Sequence, residues 1–184
     1  MVDLLDLQKH FILSHLHEGD TAVDFTMGNG HDTAFLSRTV GASGSVTAFD
    51  IQPLALINTE KNLIAQGCPP NWRLIRASHD RAPEFVHTPI KAGMFNLGYM
   101  PGSGNKALTT MRKTTLPAVE NAVGMLGKDA ILLVAVYPGH EEGALEGEEL
   151  QKYLSTLSRY KMTVAQFRLL NSPTSPFFMI VETK

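Results

Sequence analysis

Two apolar runs close the chain, Met162 to Leu169 and Phe177 to Glu182, with only residues 170–176 between them. A parallel pairing needs a crossover of a dozen residues or more, so these two strands must pair antiparallel. The upstream part follows another rule. Thr21 to Phe25, Ser45 to Ile51, Trp72 to Ile75, Lys91 to Leu97 and Ala130 to Tyr137 read as buried strands. Helical patterns run over 3–17, where Leu4, Leu7 and Phe11 share a face, and over 31–39, 53–66 and about 109–126; Leu150, Leu154 and Leu157 mark a last one. Strand–helix alternation implies a parallel sheet with helices on both faces. The sequence therefore predicts an α/β fold whose parallel sheet ends in an antiparallel hairpin. With 184 residues and no repeat or linker, it reads as one domain over 1–184.

Composition excludes several classes of function. A hydrophobic content of 43% is too high for a disordered chain. Sixteen basic against eighteen acidic residues give a net charge of −2, so any grip on nucleic acid must come from a local patch. Cys68 stands alone, which rules out an internal disulfide and a cysteine zinc site. The histidines lack an HExxH-type pattern, so no metal is expected. No apolar run reaches eighteen residues, and a soluble, cytoplasmic protein without membrane contact is expected.

The segment Asp24-Phe-Thr26-Met-Gly28-Asn29-Gly30-His-Asp32-Thr33 joins the first strand to a helix. Gly28 and Gly30 allow a tight turn and close backbone approach to a ligand, and Asp50 ends the next strand, where a carboxylate accepts ribose hydroxyls. The pattern points to a nucleoside-containing cofactor. Thr33 replaces the third glycine of a dinucleotide fingerprint, and Asp24 and Asp32 repel a pyrophosphate while suiting the cationic S-adenosyl-L-methionine. The competing reading is a plain turn with Asp32 capping the helix. After the third strand, Ser78, His79 and Asp80 are placed either for adenine contact or as a helix cap. Asn96 ends the fourth strand before Gly98 and Tyr99; its amide either aims an amine at a methyl group or ties down the loop. Tyr137 and His140 follow the fifth strand, where they shape a pocket or, for His140, move a proton.

Together, Asp24-x-Thr-x-Gly-Asn-Gly-His-Asp-Thr, Asp50-Ile-Gln52, Ser78-His79, Asn96-Leu-Gly-Tyr-x-Pro-Gly and Tyr137-Pro-Gly-His resemble the family long labelled putative rRNA methylases. Its characterised bacterial members, the MnmM enzymes, are tRNA methyltransferases. The resemblance implies a class I methyltransferase fold, a Rossmann-like three-layer sandwich with sheet order 3-2-1-4-5-7-6 and strand 7 antiparallel. It implies a substrate too: the wobble uridine at position 34 of tRNA, whose 5-aminomethyl group is methylated on nitrogen. By motif, Asn29, Asp32, Asp50, Gln52, Ser78 and His79 would hold the methyl donor with Thr26, Gly28 and Gly30 of the loop, leaving S-adenosyl-L-homocysteine as product.

On this reading Asn96 orients the amine, Tyr99 stacks or hydrogen-bonds, and Asp32 or His140 assists proton loss. Lys106, Arg112 and Lys113, in a stretch with little acid nearby, would meet phosphates of the anticodon stem-loop, and Tyr137 would contact RNA. A homodimer would double that surface. Other readings are a methyltransferase acting on rRNA or a small amine, an NAD-dependent oxidoreductase, and a non-catalytic RNA-binding protein.

Overall fold

The computed structural model describes residues 4–98, 111–139 and 141–184. In chain order the elements are α1 (Leu4–Leu13), β1 (Thr21–Asp24), α2 (His31–Val40), β2 (Ser45–Asp50), α3 (Pro53–Ala65), β3 (Trp72–Arg76), a 3-10 turn (His79–Glu84), β4 (Ile90–Asn96), α4 (Arg112–Met125), β5 (Leu126–Val136), α5 (Glu141–Leu154), β6 (Met162–Phe167) and β7 (Phe177–Thr183). The strands form one sheet in the order β3-β2-β1-β4-β5-β7-β6. The first five pair in parallel, and β7 runs antiparallel to both β5 and β6. This is the expected architecture, including the closing hairpin.

Alternation along the central strands explains the two faces. In β4 and β5, Ala92, Met94, Ile131, Leu133 and Ala135 point to one side, where Ile12 and Leu16 from the α1 region and Leu36 and Val40 of α2 cover them. Phe95, Leu132, Val134 and Val136 point to the other, against Ala118, Val119 and Ala122 of α4 and Leu150 and Leu154 of α5. Phe25 and Phe95 stack there at 4.2 Å between ring centroids. Buried on both sides, these strands read as continuous apolar runs.

Several boundaries differ from the sequence reading, among them that of β6, which ends at Phe167 rather than Leu169. Helix α1 stops at Leu13, with Leu16 buried just beyond it, and Leu157 lies past the end of α5. Strand β5 begins at Leu126, directly after α4, rather than at Ala130. The polar Gly127-Lys128-Asp129 stretch is absorbed as an irregularity between Ile90↔Leu126 and Ala92↔Ile131, with Asp129 at φ 50° and Lys91 reaching its carboxylate at 3.1 Å. The 3-10 turn, which contains Pro83, carried no apolar periodicity to announce it.

Candidate active site

The parallel strands β1, β2, β3, β4 and β5 all deliver their carboxyl ends to one edge of the sheet, where ligands gather in open α/β sheets. The loop from β1 to α2 is organised by Asp24, which is buried with 1% of its surface exposed. Its Oδ1 accepts the Thr26 N–H at 3.0 Å and its Oδ2 accepts the Thr33 hydroxyl at 2.6 Å. Thr33 is thus a tether for the loop's own carboxylate, which accounts for a hydroxyl where a dinucleotide site carries glycine. Asp32 sits in the first turn of α2, but Gly30 is the N-cap and no side chain caps the helix.

Asp50 joins two segments. Its Oδ2 accepts the Gly28 N–H at 3.1 Å and its Oδ1 the Gln52 N–H at 2.9 Å. Helix α3 then buttresses the loop through residues that the sequence reading did not single out. Asn58 donates to Asn29 Oδ1 at 2.9 Å, Asn62 to the Asn29 carbonyl at 3.2 Å, and Thr59 to the Gly28 carbonyl at 3.3 Å. Gly30, at φ 81°, lies so close that a Cβ would stand 2.8 Å from Thr59 Cα. A helical Asn–Asn pair spaced by four with a neighbouring threonine was the available signal.

The carboxyl end of β4 is fixed to the same loop, since the Asn96 N–H donates to Thr26 Oγ1 at 2.7 Å. The Asn96 side chain donates through Nδ2 to Asp32 Oδ2 at 3.4 Å. The Tyr137 phenol lies within electrostatic reach of both Asn96 and Asp32. Asp32, Asn96 and Tyr137 therefore form one cluster beside the glycine loop, with α1 lending the positive charge of Lys9 to Asp32.

Burial dominates the electrostatics. It pushes the Asp24 carboxyl up to about 7, helped by the charge of Asp32, and raises Asp32 and Asp50 above the ordinary carboxylate range. For Asp32, hydrogen bonding from Asn96 and the charges of Lys9 and His31 oppose that rise. Burial, then the charge of Asp32, raises the Tyr137 phenol. His79, 8% exposed, packs its ring edge-on to Phe95 at 5.6 Å, and burial pushes it down to about 4, so it is neutral at physiological pH. The ring bonds the Phe25 backbone, while Nε2 and the neighbouring Asp80 Oδ1 are buried without hydrogen-bond partners. Ser78 is the N-cap of the 3-10 turn and makes no side-chain cap bond.

The structure brings together Thr26, Gly28, Asn29, Gly30, Asp50 and Gln52 as one set, and Asp32, Asn96 and Tyr137 as another. Tyr99, Lys106 and His140 lie outside the described residues. The expectation of little acid around Arg112 is corrected by the fold. Helix α5 brings Glu142 and Glu149 to its guanidinium at 3.1 and 3.3 Å, acid that lies 30 and 37 residues away in sequence. Lys113 is exposed and has no carboxylate within 4 Å among the described residues. Among those residues, no group of three or more His, Cys, Asp or Glu is arranged to hold a metal ion, and no helix is long and apolar enough to cross a membrane.

Comparison with known proteins extends this picture. Residues 46–182 match the family described as "Putative rRNA methylase". The chain is 33% identical over 177 residues, 90% of its length, to the chloroplastic tRNA (mnm(5)s(2)U34)-methyltransferase of Arabidopsis thaliana, of which it spans 64%. A solved structure from Clostridium thermocellum, described as a "putative rRNA-methylase", superposes with a TM-score of 0.95 at 34% identity, covering 100% of this chain and 99% of that one. A "putative methyltransferase" from Streptococcus mutans, solved in complex with SAH, superposes at 0.90 with 32% identity and the same coverage.

Proposed function

We propose, from the premise that this chain belongs to the "Putative rRNA methylase" family, that it is an S-adenosyl-L-methionine-dependent tRNA methyltransferase. Its substrate is the 5-aminomethyl group of the wobble uridine at position 34, which becomes 5-methylaminomethyl. The observation that carries the reading is the meeting of Asn96, Asp32 and Tyr137 with the Asp50-tethered glycine loop at one sheet edge. The name of the plant relative supports the choice of substrate, and the SAH-bound neighbour supports the choice of donor.

The residues present suit the donor. Asp50 offers a carboxylate to the ribose hydroxyls, and the loop Thr26 to Gly30 presents backbone without crowding side chains. Gln52 and Ser78 flank the place where adenine would lie, and the buried, unpartnered Nε2 of His79 is a polar atom left over by the protein's own bonding. When bound, the donor supplies a methyl group on a cationic sulfur and leaves as S-adenosyl-L-homocysteine.

The nucleophile is the demanding partner, because an alkylamine is largely protonated at neutral pH and then has no lone pair. A buried pocket disfavours the ammonium form. Asn96, held by its backbone to Thr26, accepts a hydrogen bond from the amine and sets the direction of its lone pair. The rest of the work is positioning and exclusion of water. A tRNA loop is the RNA form that can present such a group, since its unstacked bases can be splayed into a pocket. Lys113, exposed at the start of α4, is offered to its phosphates.

The test is methylation of tRNA carrying 5-aminomethyl-2-thiouridine, followed by nucleoside digestion and mass spectrometry. Wild type is expected to add one methyl group at the side-chain nitrogen, and Asp50→Ala to lose that turnover with weaker donor binding. No methylation of this nucleoside, with turnover on rRNA or a small amine instead, would overturn the proposal.

A further inference from the structure

Asn96 has two chemically opposite ends, an NH2 that donates and an oxygen that accepts, and the nucleophile it selects depends on which end meets the pocket. One neighbour decides this. An ionised Asp32 is acceptor-only, so only Nδ2 can face it, at 3.4 Å. With Nδ2 committed to Asp32, Oδ1 is the end left for a ligand.

We infer that Asp32 is a positioning residue that clamps the Asn96 amide with Oδ1 turned to the pocket, so that the site selects a nucleophile bringing its own N–H. This rests on the methylation reading above and deepens it. A primary alkylamine satisfies the requirement. A ring nitrogen that offers only a lone pair meets oxygen against nitrogen and is refused. Asp32 acts through Asn96 and is not the group that removes the amine's proton. It is suited to holding an amide because the hydrogen bond from Asn96 and the charges of Lys9 and His31 favour its ionised form against the effect of burial. The groups facing Asp32 are buried Asp24, Lys9 from α1, His31 from its own helix and Tyr137 from the end of β5.

Asp32→Asn keeps the shape and removes the obligatory acceptor. With the aminomethyl tRNA, kcat is expected to fall roughly 10- to 100-fold, and KM for tRNA and Kd for SAH to stay within about 3-fold. The defect in Asp32→Asn is expected to persist from pH 7 to 9.5. A defect that closes as the amine deprotonates would identify Asp32 as a proton acceptor and overturn the clamp. Loss of SAH binding would identify it as a donor ligand, with the same consequence. In 15N-labelled protein, the Asn96 side-chain amide signals should titrate in wild type and in Asp24→Asn, and stop titrating in Asp32→Asn. That readout needs no RNA. A clamped Asn96 in an enzyme inactive on the aminomethyl tRNA overturns the functional reading, whereas Asn96 signals unmoved by Asp32→Asn overturn the clamp.

Discussion

Thr33 illustrates how one hydroxyl changes what a glycine loop is for. Where a third glycine would let helix and strand close on a pyrophosphate, the threonine donates to Asp24 at 2.6 Å and keeps a carboxylate inside the loop. A negatively lined loop suits a cationic donor. Gly30 is constrained from the other side. It needs a positive φ of 81°, and a Cβ would meet the α3 backbone at 2.8 Å. Gly30→Ala is therefore expected to destabilise the protein by roughly 2–3 kcal/mol, about 5–10 °C in Tm, and to weaken SAH binding. Thermal unfolding with and without SAH measures both, and an unchanged Tm would show that the loop can shift away from Thr59.

At the scale of elements, α3 is more than a sheet cover. Its inward-facing and loop-facing residues divide the labour: Ala55 and Leu63 are buried, while Asn58 and Asn62 hold Asn29 by its side chain and its carbonyl. None of these needs to touch the donor. The double variant Asn58→Ala, Asn62→Ala is expected to fold and to bind SAH roughly 5- to 30-fold more weakly, because the loop must then be ordered on binding. Calorimetric titration reads this directly, and wild-type affinity would mean that Asp24 and Asp50 hold the loop unaided. Helices α4 and α5 make the opposite point about cations. Arg112 is drawn into bonds with Glu142 and Glu149, so it meets RNA phosphate only in competition with two carboxylates, whereas Lys113 does not carry that burden.

For the whole molecule, two buried groups place opposite slopes on stability against pH. The Asp24 carboxyl is raised to about 7, so its proton stabilises the fold at low pH and that contribution is lost as pH rises from about 4 to 7. His79 is lowered to about 4, so its neutral ring stabilises the fold above about 6.5 and that contribution is lost as pH falls towards 4. The two partly cancel. Asp24→Asn can keep both loop bonds, accepting the Thr26 N–H and donating to Thr33. It should be more stable than wild type at pH 8, by on the order of 2 kcal/mol, and should show the acid loss due to His79 without compensation. Denaturant unfolding between pH 4 and 8 measures the slopes, and parallel curves for the two proteins would show that Asp24 is ionised throughout.

Some of this was readable in the residues alone. Strand–helix alternation, the seven residues between the last two strands, and the glycines after the first strand are local patterns, so they determine the α/β class, the antiparallel end and the place of the ligand loop. Other features depend on which strands become neighbours and in what register. Asn96 meets Asp32 across 64 residues and Thr26 across 70, Arg112 finds its carboxylates on another helix, and Asn58 and Asn62 reach a loop about thirty residues upstream. A period of two or of 3.6 residues carries no information about such contacts. Only the packed sheet order brings β1, β4 and β5 side by side, and with it the cluster in which an amide can be held one way round.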